Sequence, residues 1–280
     1  MDDGEPVIVI TGSAGGMGMT CVPALAPTAH LLLVDLNEDE LAAARDAATT
    51  AGGSASILRC DVTSAADVAD LADSIRAMGP LQAIVHTAGI SPKMAGGRQV
   101  LDVDLVGTAR VLHALEPLVR PGTAAICIAS IAGYSDVGSE LNELLDDPLA
   151  PGFLAAIEAR LQMPLDGDIG YVLAKRGVMR LCERLAGAWG ARGGRLVSIS
   201  PGLMDTGMGR FELENQELMQ TMADATPVKR PGTANLPGRP EDIAKLVTFL
   251  CSDAASFISG CDIRVDAGLV GAARLMGFGG

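Results

Sequence analysis

The sequence predicts an α/β protein built on one doubly wound parallel sheet. Short apolar segments rich in Val, Ile and Leu alternate with Ala-rich segments of helical length along the 280-residue chain. Strands that are apolar on both faces require helices on both sides of the sheet, and right-handed crossovers favour the doubly wound strand order. Neither an internal repeat nor a linker-like segment divides the chain, so a single domain over residues 1–280 is expected.

The first half of the chain supplies five predicted strands and four predicted helices. Val7–Thr11 is a β-branched run that ends at a glycine cluster, and Ala65–Met78 is a helical segment that ends at Gly79-Pro80. The other strands are predicted from apolar runs at Leu31–Asp35, Ile57–Asp61, Leu81–His86 and Ala124–Ser130. The other helices are expected at Met17–Ala26, Glu38–Ala51 and Val100–Leu118.

The second half continues the alternation but contains two irregular stretches. The regular segments are a long helix at Gly170–Trp189, a strand at Arg195–Ser200, a helix at Pro240–Cys251 with proline near its start, and a last strand at Asp262–Val265. Ser135–Asp168 is acidic and contains three prolines, which predicts a helical insertion before the long helix. Met204–Gly238 is rich in Gly, Pro and Met, which predicts a loop or lid.

Charge and composition exclude several classes of function. The formal net charge of −13 disfavours binding to a nucleic acid. No apolar run approaches the roughly 20 residues that cross a bilayer, and the acidic start Met1–Glu5 lacks the basic residues of a secretory signal. The six cysteines form no CxxC pair and the three histidines no metal-ligand spacing. We therefore expect reduced thiols, no metal, no membrane partner and a cytoplasmic location.

A glycine-rich turn follows the first strand and opens the first helix. Residues 11–18 have the sequence TGSAGGMG, with a Gly-x-x-x-Gly-x-Gly spacing. Glycines let the backbone turn sharply and approach a pyrophosphate, and the N–H groups at the helix start then face the phosphates. A plain tight turn is the alternative, whereas the lack of Gly-Lys-Ser/Thr excludes the phosphate-binding loop of nucleotide hydrolases. The candidate cofactor-binding residues are Gly12, Gly15, Gly16, Met17 and Gly18.

Asp35 ends the second predicted strand, 23 residues after Gly12. This spacing is close to that of the acid that binds the adenosine ribose in dinucleotide-binding folds. A carboxylate accepts hydrogen bonds from the ribose hydroxyls and repels a 2′-phosphate, and the neighbouring Leu36 is no cation that could receive such a phosphate. The sequence therefore favours NAD over NADP, with a helix-capping aspartate as the alternative.

Tyr171 and Lys175 are the candidate catalytic residues. The chain has two tyrosines and four lysines, and yet it contains a Tyr-x-x-x-Lys sequence on a predicted helix. Residues four apart share a helix face, so the phenol and the ammonium group can reach the same ligand. A nearby cation lowers a tyrosine pKa from about 10, and a phenol tuned towards neutrality exchanges a proton with an alcohol or carbonyl. An incidental surface pair is the alternative.

With these features, the chain resembles the short-chain dehydrogenase/reductase family over nearly its whole length. Further segments match family motifs at Asp61-Val62, Ala88-Gly89, Ile126–Ser130, Ser200–Gly202 with Thr206, Arg239–Ala244 and Ser256–Gly260. The resemblance implies a Rossmann-type domain that binds NAD. It implies adenine contacts at Asp61 and Val62, and a cofactor-binding loop at Ala88 and Gly89. It further implies nicotinamide contacts at Pro201, Gly202 and Thr206.

The resemblance also assigns catalytic roles. Tyr171 would be the general acid/base, and Lys175 would hold the nicotinamide ribose while lowering the pKa of Tyr171. Ser130 would hydrogen-bond the substrate oxygen and stabilise charge as hydride moves. Asp104 stands where the family usually carries the asparagine of a water-mediated proton relay. An aspartate can still accept a hydrogen bond from water there, but it adds a charge.

The chain departs from the family pattern at two further places, in the loop after the fourth strand and in the spacing between Ser130 and Tyr171. His86-Thr87 replaces the usual Asn-Asn before Ala88, which leaves open how that loop is fixed. Ser130 and Tyr171 are 41 residues apart because of the insertion. This long spacing and the Asp266–Leu269 ending resemble the bacterial 3α-hydroxysteroid dehydrogenase/carbonyl reductase subgroup. The resemblance implies reversible oxidation of a secondary alcohol on a bulky apolar substrate, such as a steroid, by a homodimer or homotetramer.

Two alternatives stay open at this point. One is a carbonyl reductase or alcohol dehydrogenase for smaller alcohols such as terpenols, and the other is a non-catalytic NAD-sensing protein on the same fold. The predicted lid favours a bulky apolar ligand because it carries adaptable apolar side chains. These side chains are Met204, Met208, Phe211, Leu213, Leu218, Met219 and Met222.

Overall fold

Seven parallel strands form one sheet in a computed structural model that describes residues 4–215, 217–230 and 236–275. The strand order is β3-β2-β1-β4-β5-β6-β7. The strands are β1 (Val7–Thr11), β2 (His30–Asp35), β3 (Ala55–Arg59), β4 (Leu81–His86), β5 (Ala124–Ile128), β6 (Arg195–Pro201) and β7 (Cys261–Val265). The order reverses between β1 and β4, where a crevice opens beyond the carboxyl ends of the strands. The predicted doubly wound fold is confirmed.

Helices cover both faces of the sheet. They are α1 (Gly16–Leu25), α2 (Glu38–Thr50), α3 (Ala65–Met78), α4 (Gly97–Leu101), α5 (Thr108–Leu115), α6 (Ser139–Leu145), α7 (Phe153–Arg160), α8 (Gly167–Ala191), α9 (Gly207–Asn215), α10 (Glu217–Ala225), α11 (Pro240–Leu250) and α12 (Leu269–Leu275). Across the ranges that the structure describes, no helix is long and apolar enough to span a membrane.

Three regions differ from the sequence prediction. The predicted helix Val100–Leu118 contains a π-helical segment at Asp102–Gly107, between α4 and α5. The predicted loop or lid Met204–Gly238 contains helices α9 and α10, and the sequence did not predict α12. These three helices have nine, nine and seven residues. Segments this short give a weak periodic signal, and the glycines that begin α9 have low helix propensity.

The sheet separates two apolar cores. Alternate residues of β1 point to opposite faces, so Val9 belongs to one core and Ile10 to the other. The first core packs α3, α5 and α8 against the sheet and includes the fully buried Trp189. The second core packs α1, α2 and α11 against the other face. Apolar residues on both sides of each central strand therefore produce the continuous runs seen in the sequence.

The insertion between Ser130 and α8 is a pair of helices, α6 and α7, attached to the side of α8. Leu145 and Ile157 are fully buried in the first core. Arg180 of α8 makes two hydrogen bonds to the carboxylate of Asp146, at 2.7 and 2.8 Å. Such paired bonds fix the relative orientation of the two groups. The insertion is therefore anchored on the helix that carries Tyr171.

Helices α8 and α4 meet through glycines at the first turn of α8. A Cβ at Gly170 would lie 2.5 Å from both the Cα and the carbonyl oxygen of Gly97. Backbone atoms this close leave no space for a methyl group. Gly170 therefore sets the distance between the two helices and, with it, the position of the adjacent Tyr171.

Replacement of Gly170 by alanine should destabilise the fold. We expect Gly170→Ala to lower the free energy of unfolding by about 1–3 kcal/mol, because the added methyl group overpacks the contact with Gly97. Gly187→Ala is the matched control on the same helix, since none of the described atoms lies within 4 Å of a Cβ there. The control should be neutral or more stable by up to about 1 kcal/mol, through helix propensity. Urea unfolding measures both, and equal stability of the two variants would contradict the close contact.

Candidate active site

The glycine turn lies at the point where the strand order reverses. Gly12 has a φ of +69°, a left-handed conformation that favours glycine. A Cβ at Gly12 would lie 2.6 Å from the backbone nitrogen of Ala88, so the turn packs against the loop after β4. A Cβ at Gly18 would lie 2.1 Å from the carbonyl oxygen of Gly12. The turn thus has no space for side chains at Gly12 and Gly18, while Gly15 and Gly16 are exposed at the start of α1.

Asp35 lies beside this turn, at the carboxyl end of β2. Its Oδ2 accepts a hydrogen bond from the backbone of Ala14 at 3.0 Å, and its Oδ1 accepts one from Leu36 at 2.7 Å. The helix-capping alternative for Asp35 is wrong, because the N-cap of α2 is Asn37, whose side chain accepts from Glu40. The Asp35 carboxylate is therefore fixed against the glycine turn, and Leu36 is exposed. The contact of either residue with a ribose stays a prediction.

Asp61 and Val62 shape the loop after β3. The Asp61 carboxylate accepts hydrogen bonds from the backbone nitrogen and the hydroxyl of Thr63, at 2.8 and 2.7 Å. Val62 is buried, and a Cβ at Gly107 would lie 2.7 Å from its Cγ2. Both residues thus hold the loop itself, and their contact with an adenine ring stays a prediction.

His86 and Thr87 fix the end of β4. The His86 ring hydrogen-bonds Thr11 Oγ1 through Nδ1 at 2.7 Å and Thr108 Oγ1 through Nε2 at 2.9 Å. The Thr87 hydroxyl donates to the carbonyl oxygen of Thr11 at 2.8 Å. Burial, and secondarily the charge of Lys175, lower the pKa of His86 to about 3, so the ring is neutral. This network answers the question raised by the sequence, because it ties the loop to β1 and α5.

Tyr171, Lys175 and Ser130 meet at the carboxyl end of β5. Lys175 Nζ lies 5.4 Å from the centroid of the Tyr171 ring and donates a hydrogen bond to the carbonyl oxygen of Ile128 at 3.2 Å. The Ser130 hydroxyl is close enough to the Tyr171 hydroxyl to lower its pKa by hydrogen bonding. Lys175 is only 5% exposed, which rules out an incidental surface pair. The fold therefore brings Ser130 to the helical pair in spite of the insertion.

Asp104 forms a buried ion pair with Lys175. Asp104 Oδ2 lies 3.0 Å from Lys175 Nζ, and Oδ1 accepts the backbone N–H of Ile90 at 2.8 Å. Asp104 is 1% exposed and belongs to the π-helical segment. A Cβ at Gly89 would lie 3.1 Å from the same carboxylate, so glycine makes room for it. The side chain thus pairs directly with Lys175, and its part in a proton relay through water stays a prediction.

The pKa of Tyr171 differs from the sequence prediction. Burial raises it most, the Lys175 charge lowers it, and the Glu212 and Asp104 charges raise it further, so the pKa is raised overall. The expectation that the pKa of Tyr171 is lowered is therefore wrong for the protein without a bound cofactor or substrate. Burial has the largest effect and lowers the pKa of Lys175, but Asp104 and Tyr171, with a smaller effect of Cys127, together raise it overall. Lys175 therefore stays charged, while Asp104 offsets part of its effect on Tyr171.

The turn after β6 forms the far side of the crevice. Pro201 is buried at the end of β6, and the backbone nitrogen of Gly202 donates to the carbonyl oxygen of Val265 at 2.9 Å. A Cβ at Gly16 would lie 3.3 Å from the side chain of Thr206. This turn and the glycine turn therefore approach each other closely, and a side chain at Gly16 would narrow the space between them.

A cavity of about 800 Å³ extends from the glycine turn to the lid. It is lined by Met17, Gly89, Asp104, Pro201, Gly202 and Thr206, and by the cluster of Ser130, Tyr171 and Lys175. The lid contributes Met204, Met208, Leu218, Met219 and Met222. Of the lid residues predicted to face a ligand, Phe211 is instead exposed and Leu213 packs in a small core beneath the lid. Half of the predicted catalytic and cofactor-binding residues therefore border one space, whereas the following do not line it: Gly12, Gly15, Gly16, Gly18, Asp35, Leu36, Asp61, Val62 and Ala88.

Sequence reasoning missed Glu212 and Ser91. Glu212 of α9 lines the cavity, and its Oε1 accepts a hydrogen bond from the Ser91 hydroxyl at 2.7 Å. Ser91 lies in the loop after β4 and is fully buried. The two residues are 121 positions apart in the sequence, and α9 lies in a stretch predicted as a loop or lid. Nothing in the sequence pattern therefore joins them.

Comparison with known proteins identifies related chains. A family model described as Enoyl-(Acyl carrier protein) reductase matches residues 12–140 and 154–270. The cis-4-hydroxycyclohexanecarboxylate dehydrogenase of Sinomonas cyclohexanicum is 32% identical, over 94% of this chain and 96% of its own. The 3-alpha-hydroxysteroid dehydrogenase/carbonyl reductase of Comamonas testosteroni is 27% identical, over 94% of this chain and 96% of its own. A short-chain type dehydrogenase/reductase from Mycobacterium ulcerans has a TM-score of 0.75 at 26% identity, over 96% of this chain and 91% of that one.

The chain belongs to the short-chain dehydrogenase/reductase family. It is an oxidoreductase that acts on alcohol or ketone groups. The relatives differ in substrate, since a galactitol 2-dehydrogenase of Cereibacter sphaeroides is also 30% identical over 92% of the chain.

The crevice fits a nicotinamide dinucleotide. The exposed Gly16 begins α1, where the first N–H groups of a helix can face a pyrophosphate, and the Asp35 carboxylate lies beside the glycine turn. The cavity then leads from Met17 to Tyr171, where the nicotinamide would lie. No group of three or more His, Cys, Asp and Glu side chains among the described residues could hold a metal ion.

The neutral state of His86 should make stability depend on pH. Its pKa is about 3 in the folded protein and about 6.5 in the unfolded chain. Between these values the unfolded chain binds one more proton than the folded one. The contribution of His86 to the free energy of unfolding is therefore complete above about pH 6.5. It falls by about 1.4 kcal/mol for each pH unit below that value.

Urea unfolding between about pH 7 and pH 5 measures this slope. His86→Gln should flatten it, whereas His113→Gln, which alters an exposed histidine on α5, should not. If His86→Gln does not fold, NMR titration of the His86 ring in the parent protein replaces it. An unchanged slope in His86→Gln, or a titration midpoint near 6.5, would show that the ring is not held neutral.

Proposed function

We propose that this protein is an NAD-dependent dehydrogenase/reductase that interconverts a secondary alcohol and a ketone on a bulky, largely apolar substrate such as a hydroxysteroid. The observation that carries the proposal is the cluster of Ser130, Tyr171 and Lys175, which opens into a cavity of about 800 Å³. Methionine side chains of the lid form part of its wall. Such side chains adapt to irregular apolar ligands.

Tyr171 is the general acid/base in this proposal. When bound, the nicotinamide ring accepts the hydride in oxidation and supplies it in reduction. In oxidation the Tyr171 phenolate takes the proton of the substrate hydroxyl, and in reduction the Tyr171 hydroxyl donates that proton to the carbonyl oxygen. The Ser130 hydroxyl holds the substrate oxygen and stabilises the charge that develops on it. The Lys175 ammonium group, 5.4 Å from the ring centroid, stabilises the phenolate form.

Asp104 positions Lys175 and keeps it charged. The carboxylate is buried, 3.0 Å from Nζ, and is itself held by the backbone of Ile90. Because its negative charge also opposes ionisation of Tyr171, oxidation of an alcohol should be favoured at alkaline pH. The proton relay and the assembly as a homodimer or homotetramer stay predictions, as does the cytoplasmic location.

A smaller alcohol or polyol is the second candidate substrate. It is favoured by relatives whose names specify such substrates, among them the galactitol 2-dehydrogenase and a D-threitol dehydrogenase of Mycolicibacterium smegmatis, each 30% identical. The apolar lid argues for the bulky substrate instead. NAD-linked assays over steroid, terpenoid and polyol alcohols distinguish the two by the kcat/KM of each.

Removal of the Tyr171 hydroxyl should abolish most of the activity. We expect Tyr171→Phe to lower kcat/KM for NADH formation by about 10²- to 10⁴-fold, because the proton acceptor is lost. Tyr134→Phe is the matched control, since that hydroxyl donates to Asp262 at 2.7 Å as part of the fold. Tyr134→Phe should keep most of the activity if the variant is folded by circular dichroism. Equal turnover by Tyr171→Phe and the parent protein would reject the mechanism.

Asp35 should determine the choice of cofactor. We expect the parent protein to prefer NAD, and Asp35→Asn to reduce the ratio of kcat/KM for NAD over NADP about tenfold or more, because a like-charge repulsion of the 2′-phosphate is removed. Asp39→Asn removes an exposed charge on the first turn of α2 and should leave the ratio unchanged. A parent protein that prefers NADP would overturn the assignment of NAD.

A further inference from the structure

One carboxylate of the lid, that of Glu212, faces the catalytic cavity and forms no ion pair with any of the described residues. Glu212 lines the cavity, and its Oε1 accepts the Ser91 hydroxyl at 2.7 Å. Ser91 is fully buried and also accepts the backbone N–H of Lys93 at 3.3 Å, which orients its hydroxyl towards Glu212. In the part of the chain that the structure describes, no hydrogen bond reaches Oε2 of Glu212. One oxygen is thus fixed, and the other is available to a ligand.

The other carboxylates of the cavity wall already have partners. Asp104 pairs with Lys175, and Asp168 accepts a hydrogen bond from Lys93 Nζ at 2.6 Å. Asp224 accepts from Gln220 at 3.2 Å. Arg274, the second cation of the wall, lies over the Tyr134 ring, 5.7 Å from its centroid. Carboxylates therefore outnumber cations on the wall, and Glu212, like Asp224, is held by a neutral hydrogen-bond donor rather than by an ion pair.

Glu212 is also close to the reacting groups. Its charge raises the pKa of Tyr171, an effect that falls off with distance. Burial raises the pKa of Glu212 most, and the Asp168 charge raises it too, whereas the Ser91 hydrogen bond and the charges of Lys175 and Lys93 lower it; the pKa is raised overall. In either protonation state its outer oxygen can accept a hydrogen bond. Because Glu212 and Tyr171 line the same cavity, a substrate that reaches Tyr171 can present a second group to Glu212.

We propose that Glu212 is a specificity-determining residue that accepts a hydrogen bond from a second hydroxyl group of the substrate and rejects a carboxylate at the same place. The preferred substrate is then a neutral diol on an otherwise apolar skeleton. This inference rests on the proposed alcohol dehydrogenase activity. Its physical basis is that a half-buried carboxylate oxygen with no hydrogen bond from the described residues favours a ligand that donates to it over one that carries a like charge.

Three cyclohexane derivatives test the inference, because they differ only in the group opposite the reacting hydroxyl. They are cis-1,4-cyclohexanediol, cyclohexanol and cis-4-hydroxycyclohexanecarboxylate. We expect the parent protein to prefer the diol to the hydroxy acid, and Glu212→Gln to reduce this preference in kcat/KM about tenfold or more, through loss of the charge repulsion. Where turnover is too slow, competitive inhibition constants against the best alcohol give the same ratio.

Glu214→Gln is the matched control, since Glu214 is an exposed acid on the same helix. It removes the same charge from the lid and should leave the preference unchanged. A preference for the hydroxy acid in the parent protein, or equal ratios in Glu212→Gln and Glu214→Gln, would overturn the inference while the dehydrogenase activity stands. Absence of NAD-linked oxidation of every secondary alcohol would instead overturn the proposed function.

Discussion

The buried ion pair between Lys175 and Asp104 is the interaction on which the rest of the site depends. An ammonium group in a protein interior costs several kcal/mol unless a counter-charge and hydrogen bonds compensate it. Asp104 supplies the charge at 3.0 Å, and the carbonyl oxygen of Ile128 supplies a hydrogen bond. Because Asp104 also accepts from Ile90, the pair joins helix α8 to the ends of β4 and β5. The same carboxylate weakens the effect of Lys175 on Tyr171, so the pair sets both the geometry and the acidity of the site.

Around this pair, buried polar groups join the carboxyl ends of the strands. The His86 ring bridges Thr11 on β1 and Thr108 on α5, while Asp35 connects the end of β2 to the glycine turn. Each of these groups is satisfied within the protein, as buried polar groups require. The loops that border the cavity therefore hold their positions before a ligand arrives. Groups fixed in this way need little reorganisation during a reaction, which is the main source of electrostatic catalysis.

The sequence predicted what depends on local pattern and spacing. Apolar runs and helical segments defined the doubly wound sheet, and the four-residue spacing placed Tyr171 and Lys175 on one helix face. It did not predict the raised pKa of Tyr171, because that depends on burial and on two carboxylates from distant segments. Asp104 was identified as a departure, but its partner required the three-dimensional distance. Glu212 had no signal at all, since it lies on a short helix and its hydrogen-bond partner is a serine 121 positions away.

The insertion shows how loosely chain length constrains such a site. Ser130 is held by the end of β5, and Tyr171 by the glycine contact between α4 and α8, so neither relies on the segment that joins them. Closing a longer loop adds little entropic cost, about 0.6 kcal/mol for each doubling of its length. The burial of Leu145 and Ile157 and the paired hydrogen bonds of Arg180 offset this entropic cost. Evolution could therefore lengthen, shorten or recruit this segment for a new task while the chemistry beneath it was inherited unchanged.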